Sequence, residues 1–205
     1  MSKHINLIRI AKIAVVVLTA PVFAGCAAGG AISAVASLAG SALEMTGLKK
    51  PDNAPTEVKF TLHAGENLNA SSGQASALVT KIYYLKNSEA FMRAPLTALL
   101  DAEQQKATLG DALVAARDLT LTPGQKYENL EKVPKEASYI AVAGLFFSPA
   151  QQRWKYAFKI EDVEDDGIVM GAHACALTVA KGKVTLPAGV PAYDPSRLAS
   201  VRCPG

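Results

Sequence analysis

Hydrophobic and polar positions alternate with a period of two over much of the chain beyond residue 56. Val58, Phe60 and Leu62 alternate with Lys59, Thr61 and His63, which predicts a strand with one buried and one wet face. Gly65 to Ser76 (GENLNASSGQAS) is polar and turn-rich, and predicts a loop. Ala77 to Leu85 (ALVTKIYYL), rich in β-branched and aromatic residues, predicts a second strand. The period then changes. Asn87 to Arg93 predicts a short helix with Asn87 or Ser88 as N-cap, and Pro95 opens a second helical piece, Leu96 to Lys106, with Leu96, Leu99 and Leu100 on one side. Ala115 to Leu121 is again a strand and ends in the turn Thr122-Pro123-Gly124. Ser138 to Phe147 (SYIAVAGLFF) is nearly all apolar and reads as a central strand. A hairpin loop, Ser148 to Gln152, leads to Arg153 to Ile160, where Trp154, Tyr156, Phe158 and Ile160 alternate with Arg153, Lys155, Ala157 and Lys159. Ile168 to Val179 predicts another strand, Lys181-Gly182-Lys183 a turn, and Val184 to Leu186 a last short strand. About seven short strands with turns between them define a mainly β chain, a two-sheet β-sandwich with a small helical insertion between strands 2 and 3.

The first residues follow a different pattern. Lys3, Arg9 and Lys12 precede the uncharged apolar stretch Ile13 to Ala20, and Pro21 to Gly25 leads to Cys26. This is the order of a secretory signal. The stretch is too short to cross a bilayer, which needs about 20 apolar residues. Phe23-Ala24-Gly25-Cys26 resembles a bacterial lipobox, with Phe23 in place of the usual Leu. The resemblance implies cleavage before Cys26 and lipid on its thiol; the competing reading is an ordinary signal beside a free cysteine. Ala27, where Asp would retain a lipoprotein in the inner membrane, implies the periplasmic face of the outer membrane. Such a protein is anchored to a membrane without spanning it. The expected organisation is a signal peptide over 1–25, a lipidated flexible tether over 26–55 with a possible short helix over 32–48, and a sandwich domain over 56–205. Lys49 to Pro55 (KKPDNAP) forms the boundary.

Charge changes the picture once the signal is set aside. The whole chain carries 21 Lys and Arg against 18 Asp and Glu. Loss of Lys3, Arg9 and Lys12 leaves 18 against 18. A neutral domain with few aromatics has no electrostatic footprint for nucleic acid. Cys175 and Cys203 then remain as an even pair in an oxidising compartment, which favours a disulfide worth on the order of 3 kcal/mol over a buried Cys175 and a frayed Cys203.

Candidate chemistry is sparse. Beyond the signal the histidines are His63 and His173, far apart in sequence, and no HExxH, CxxC or GxSxG pattern is present. Their expected role is structural, with no metal and no cofactor other than the covalent lipid. The acidic run Glu161 to Gly167 (EDVEDDG) has the composition of a hard-cation site but not the offsets of a calcium loop. Asp165-Asp166-Gly167 reads better as a tight hairpin turn. No catalytic residue is expected.

Leu62 to Leu85 (LHAGENLNASSGQASALVTKIYYL) resembles the start of the TssJ family, the outer-membrane lipoproteins of type VI secretion systems. The matching pieces are the Asn-containing loop Asn67-Leu68-Asn69, the strand Thr80 to Leu85, Phe91 in a short helix, Leu119 to Gly124, Tyr139 to Ala143 and Trp154. The resemblance covers most of residues 56–160 and leaves the tail from Cys175 to Gly205 unmatched. It implies a transthyretin-like sandwich and a structural role without catalysis or a small-molecule substrate. It further implies binding to the periplasmic C-terminal part of the inner-membrane subunit TssM. The contact would be made by the loop between the first two strands, here Gly65, Glu66, Asn67, Leu68, Asn69, Ala70, Ser71, Ser72, Gly73 and Gln74, with Leu68 as an apolar anchor. The residues alone leave open a periplasmic lipoprotein whose sandwich binds a small ligand or inhibits an enzyme.

Overall fold

A computed structural model describes residues 55–187, 189–199 and 201–204. The signal, Cys26, the tether and its possible helix lie outside the described residues. Among the described residues, nine strands form two sheets. They are β1 (Glu57–Ala64), β2 (Leu78–Leu85), β3 (Leu113–Leu121), β4 (Lys126–Lys132), β5 (Tyr139–Gly144), β6 (Lys155–Lys159), β7 (Ile168–Ala172), β8 (Leu177–Lys181) and β9 (Val184–Thr185). One sheet has the order β4-β1-β7-β8 and the other β3-β2-β5-β6-β9. All pairings are antiparallel except β1 with β7.

The core between the sheets follows from the two-residue period. Val58, Phe60 and Leu62 of β1 point inward and meet Ile82 and Tyr84 of β2, Ile140 and Val142 of β5, and Tyr156 and Phe158 of β6. Lys59 and His63 occupy the exposed face of β1. The other face of the five-stranded sheet is not wet. Three short helices, α1 (Glu89–Arg93), α2 (Thr97–Leu100) and α3 (Ala102–Leu109), lie between β2 and β3 in the chain. Phe91, Leu99 and Leu109 from them bury Tyr83, Leu85, Ala141, Ala143 and Ala157 in a second core. β2 is therefore apolar on both faces, and β5 and β6 carry alanine where the helices approach the sheet.

Several elements differ from the sequence reading. β4 was not predicted, because Lys126 to Lys132 (KYENLEK) is polar and exposed except at Tyr127 and Glu131. It is an edge strand that pairs with β1 on one side alone. The single strand expected over Ile168 to Val179 is two strands, β7 and β8, paired around a turn at 173–176. The second helical piece is also broken. Asp101 leaves the helical region with φ −108° and ψ 138°, and its carboxylate caps α3 by accepting from the N–H groups of Glu103 and Gln104. The break leaves Leu100 56% exposed while Leu99 is buried. The acidic run turns the chain as expected but does not form a hairpin. It carries the chain from β6 in one sheet to β7 in the other. Gly167 takes φ 76° there, and a Cβ on it would stand 2.7 Å from the Lys59 carbonyl oxygen.

Candidate functional site

The loop between β1 and β2 is short of regular structure yet heavily bonded. The Gly65 N–H donates to the Ala172 carbonyl (2.8 Å), Asn69 N–H to His173 (2.9 Å) and Ala70 N–H to Ala174 (2.9 Å). The loop is thus tied to the turn between β7 and β8. Ser71 and Gln74 exchange two backbone bonds of 3.0 Å around Ser72 and Gly73, whose φ values are 52° and 79°. Two successive positive φ angles are what a tight hairpin turn of this hand requires.

Leu68 and Asn69 point inward. Leu68 is fully buried in the core between the sheets. The expectation that it serves as an exposed apolar anchor is therefore corrected: polar neighbours gave it a loop setting, and the fold uses it as a plug. Asn69 is buried with φ 45°, a left-handed conformation that Asn tolerates better than most residues. Its side-chain amide donates to the Ala77 carbonyl (2.9 Å), and its oxygen accepts from the Phe147 N–H (2.9 Å). Glu66, Asn67, Ser71, Ser72, Gly73 and Gln74 are exposed, and Gly65 and Ala70 are half-buried. The sequence reading missed Phe147 as a partner of this loop, having placed it inside a central strand. The strand ends at Gly144, and that glycine and the Ser148-Pro149 pair are the sequence signals for the break.

The remaining candidates lie elsewhere. His63 is exposed. His173 is half-buried, with Nε2 2.9 Å from Thr178 Oγ1. Burial, and then the charge of Arg153, hold its pKa below the usual imidazole range. No group of three or more His, Cys, Asp or Glu among the described residues is placed to hold a metal ion. In the acidic run, Asp162 pairs with Lys183 and Asp166 with Lys181, each at 3.1 Å, and Glu161 pairs with Lys159. Cys175 and Cys203 are joined by a disulfide with Cα atoms 5.6 Å apart.

A helix-backed β-sandwich that presents a stitched polar loop is a scaffold of the kind that displays binding residues on a rigid frame. The model of the type VI secretion lipoproteins (T6SS-SciN: VasD, EvfM, TssJ) matches residues 56–175, more than half of the chain, and the chain belongs to that family. No curated protein matches it by sequence. Its fold is similar to the T6SS lipoprotein TssJ1 from Pseudomonas aeruginosa (26% identity, TM-score 0.54, covering 65% of this chain and 99% of that one). It is also similar to a chain of a type VI membrane complex (24%, 0.55, 62% and 100%). A third match is a chain in the structure of the T6SS protein TssM C-terminal domain from EAEC (22%, 0.52, 61% and 98%).

Proposed function

We propose that this secretion lipoprotein anchors the type VI membrane complex to the outer membrane, held by lipid on Cys26 at the periplasmic face, and binds the periplasmic C-terminal part of TssM. The role is structural rather than catalytic. Family membership supports it, as does the likeness to chains in structures described as a type VI membrane complex and as the TssM C-terminal domain. The observation that carries the binding surface is the β1–β2 loop. It holds Glu66, Asn67 and the tip Ser71 to Gln74 exposed on a backbone fixed by bonds to 172–174.

The test has two arms. Cys26→Ser should release the folded protein from the membrane fraction, and continued sedimentation with outer membrane would refute the anchor. Titration with the TssM periplasmic fragment should show binding that is lost when Glu66, Asn67 and Gln74 are changed to Ala together. Unchanged affinity would remove the loop from the interface.

One observation favours a second reading, a sandwich that binds a small ligand. A cavity of about 250 Å³ lies between α1, β6 and the tail, lined by Met92, Lys155, Tyr156, Leu186, Pro187 and Tyr193. A small molecule recovered with the purified protein, together with no binding to the TssM fragment, would favour it.

A further inference from the structure

We infer that Phe147 is the apolar anchor of the partner-binding surface, and that its occupant is an apolar pocket on the periplasmic part of TssM. This rests on the function proposed above and takes over the role that Leu68, being buried, cannot fill. Phe147 is 68% exposed, the most open of the exposed large apolar side chains among the described residues. A single exposed apolar residue needs no explanation, so its neighbours decide the matter. β2 and β5 pair Thr80 with Gly144, and the Leu145 N–H donates to the Val79 carbonyl (2.9 Å). Continuing that register sets Phe147 opposite Ala77. The two strands do not bond directly there. The Asn69 side chain takes the place of the backbone pair, accepting from Phe147 N–H and donating to the Ala77 carbonyl.

This arrangement has two consequences. First, the backbone at Phe147 is held by a residue of the β1–β2 loop, which ties the aromatic to that loop. Second, Phe146 enters the sandwich core and Leu145 leans on the helix-side core, while Phe147, in the bend after β5 ends at Gly144, joins neither core and stays open. Val79, 37% exposed, and the exposed Ala77 are the residues of β2 and its start that this register sets opposite Leu145 and Phe147. An exposed aromatic whose backbone is bonded to a polar loop fits the anatomy of a protein-binding surface, in which aromatic residues are enriched.

Phe147→Ala and Phe147→Leu are titrated with the TssM periplasmic fragment, using the disulfide-intact domain, with a thermal melt of each. The expected result is a loss of at least about 30-fold for Phe147→Ala, partial recovery with Leu, and unchanged melting temperatures. Wild-type affinity in Phe147→Ala would overturn the anchor while leaving the proposed function standing. No binding by the wild type would overturn both. Two other outcomes would also overturn it: a wild-type dimer dissolved by Phe147→Ala, which would make the occupant a second copy, and vesicle binding by the unlipidated domain abolished by the substitution, which would place the ring in the bilayer interface. A lowered melting temperature in both variants would assign Phe147 to the fold and overturn it as well.

Discussion

At the scale of single residues, Leu68 and Asn69 show how far a side chain's role depends on what lies behind it. Gly65 to Ser76 contains one large apolar residue among small and polar ones, and such a residue reads equally well as a sticky contact or as a plug. In the fold Leu68 fills the core end between β1 and β2, and the loop closes over it. Replacing Leu68 with Ala should therefore lower the unfolding free energy by about 2–5 kcal/mol, the range for removing a buried leucine side chain. Urea denaturation would measure it; a cost below ~1 kcal/mol would mean the loop sits more loosely than described. By the same reasoning, exchanging all of Asn67-Leu68-Asn69 should cost stability as well as any binding. Only Asn67 of the three is exposed.

At the scale of elements, β3 and β4 are edge strands of different sheets, consecutive in the chain, and a polar network joins them across the open side of the sandwich. Glu131 of β4 is 2% exposed. It accepts from Tyr84 Oη (2.6 Å) and Asn129 Nδ2 (3.0 Å) and pairs with Arg117 of β3. Arg117 also donates to Tyr127 Oη (2.8 Å) and lies 5.5 Å over that ring. Inward-facing charges of this kind blunt an edge against further strand pairing. Burial pushes the Glu131 carboxyl up, but the hydrogen bonds from Tyr84 and Asn129 and the Arg117 charge outweigh it, and the pKa lies below the usual carboxylate range. A folded-state value below the unfolded one makes this stabilisation present at neutral pH. It is lost as pH falls from ~4.3 through the folded value. Glu131→Gln should cost about 1–3 kcal/mol at pH 7 and flatten the acid limb of the stability profile. An equally steep acid limb in the variant would move the pH dependence to other carboxylates.

The insertion illustrates a second point at this scale. Lys155 of β6 donates to the carbonyls of Phe91 and Ala94 (2.6 Å each) and lies over the Phe91 and Trp154 rings. Burial pushes its pKa down to about 8. In the sequence Lys155 is one of the polar positions of an alternating strand. The insertion turns that face of the sheet into a second interior, and the lysine into a clamp on the end of α1.

At the scale of the molecule, the tail beyond the family match is bound back onto the sandwich. The Val179 N–H of edge strand β8 donates to the Pro195 carbonyl (3.0 Å). The buried Arg153 donates to the carbonyls of Asp194, Pro195 and Arg197 and stacks 5.0 Å over Tyr193. The Cys175–Cys203 bridge closes this segment over a sequence separation of 28. Cys203→Ser should destabilise the domain by about 3 kcal/mol and raise amide exchange at Val179. Thiol labelling of the denatured, unreduced protein should find neither cysteine free; stoichiometric labelling would refute the bridge.

Local patterns alone determined much of this. The period of two along β1 and β6, the apolar run of β5, the helical interruption after β2, and the turn residues at 122–124 and 165–167 are written in consecutive residues. They led to a two-sheet sandwich with an insertion and, through the order of motifs, to the family. Tertiary structure decided what depends on a distant partner. β4 is polar in itself and becomes a strand because β1 offers an edge. β7 and β8 separate because Ile168 to Val179 folds back at 173–176, with the His173 N–H bonded to the Ala176 carbonyl. Leu68 is buried because it packs into the core between the sheets, and Phe147 lies where the Asn69 side chain takes over from the backbone pairing of β2 with β5. Apart from the local fold-back at 173–176, these outcomes rest on groups far apart in the chain, and hydrophobic periodicity carries no information about which of them will meet.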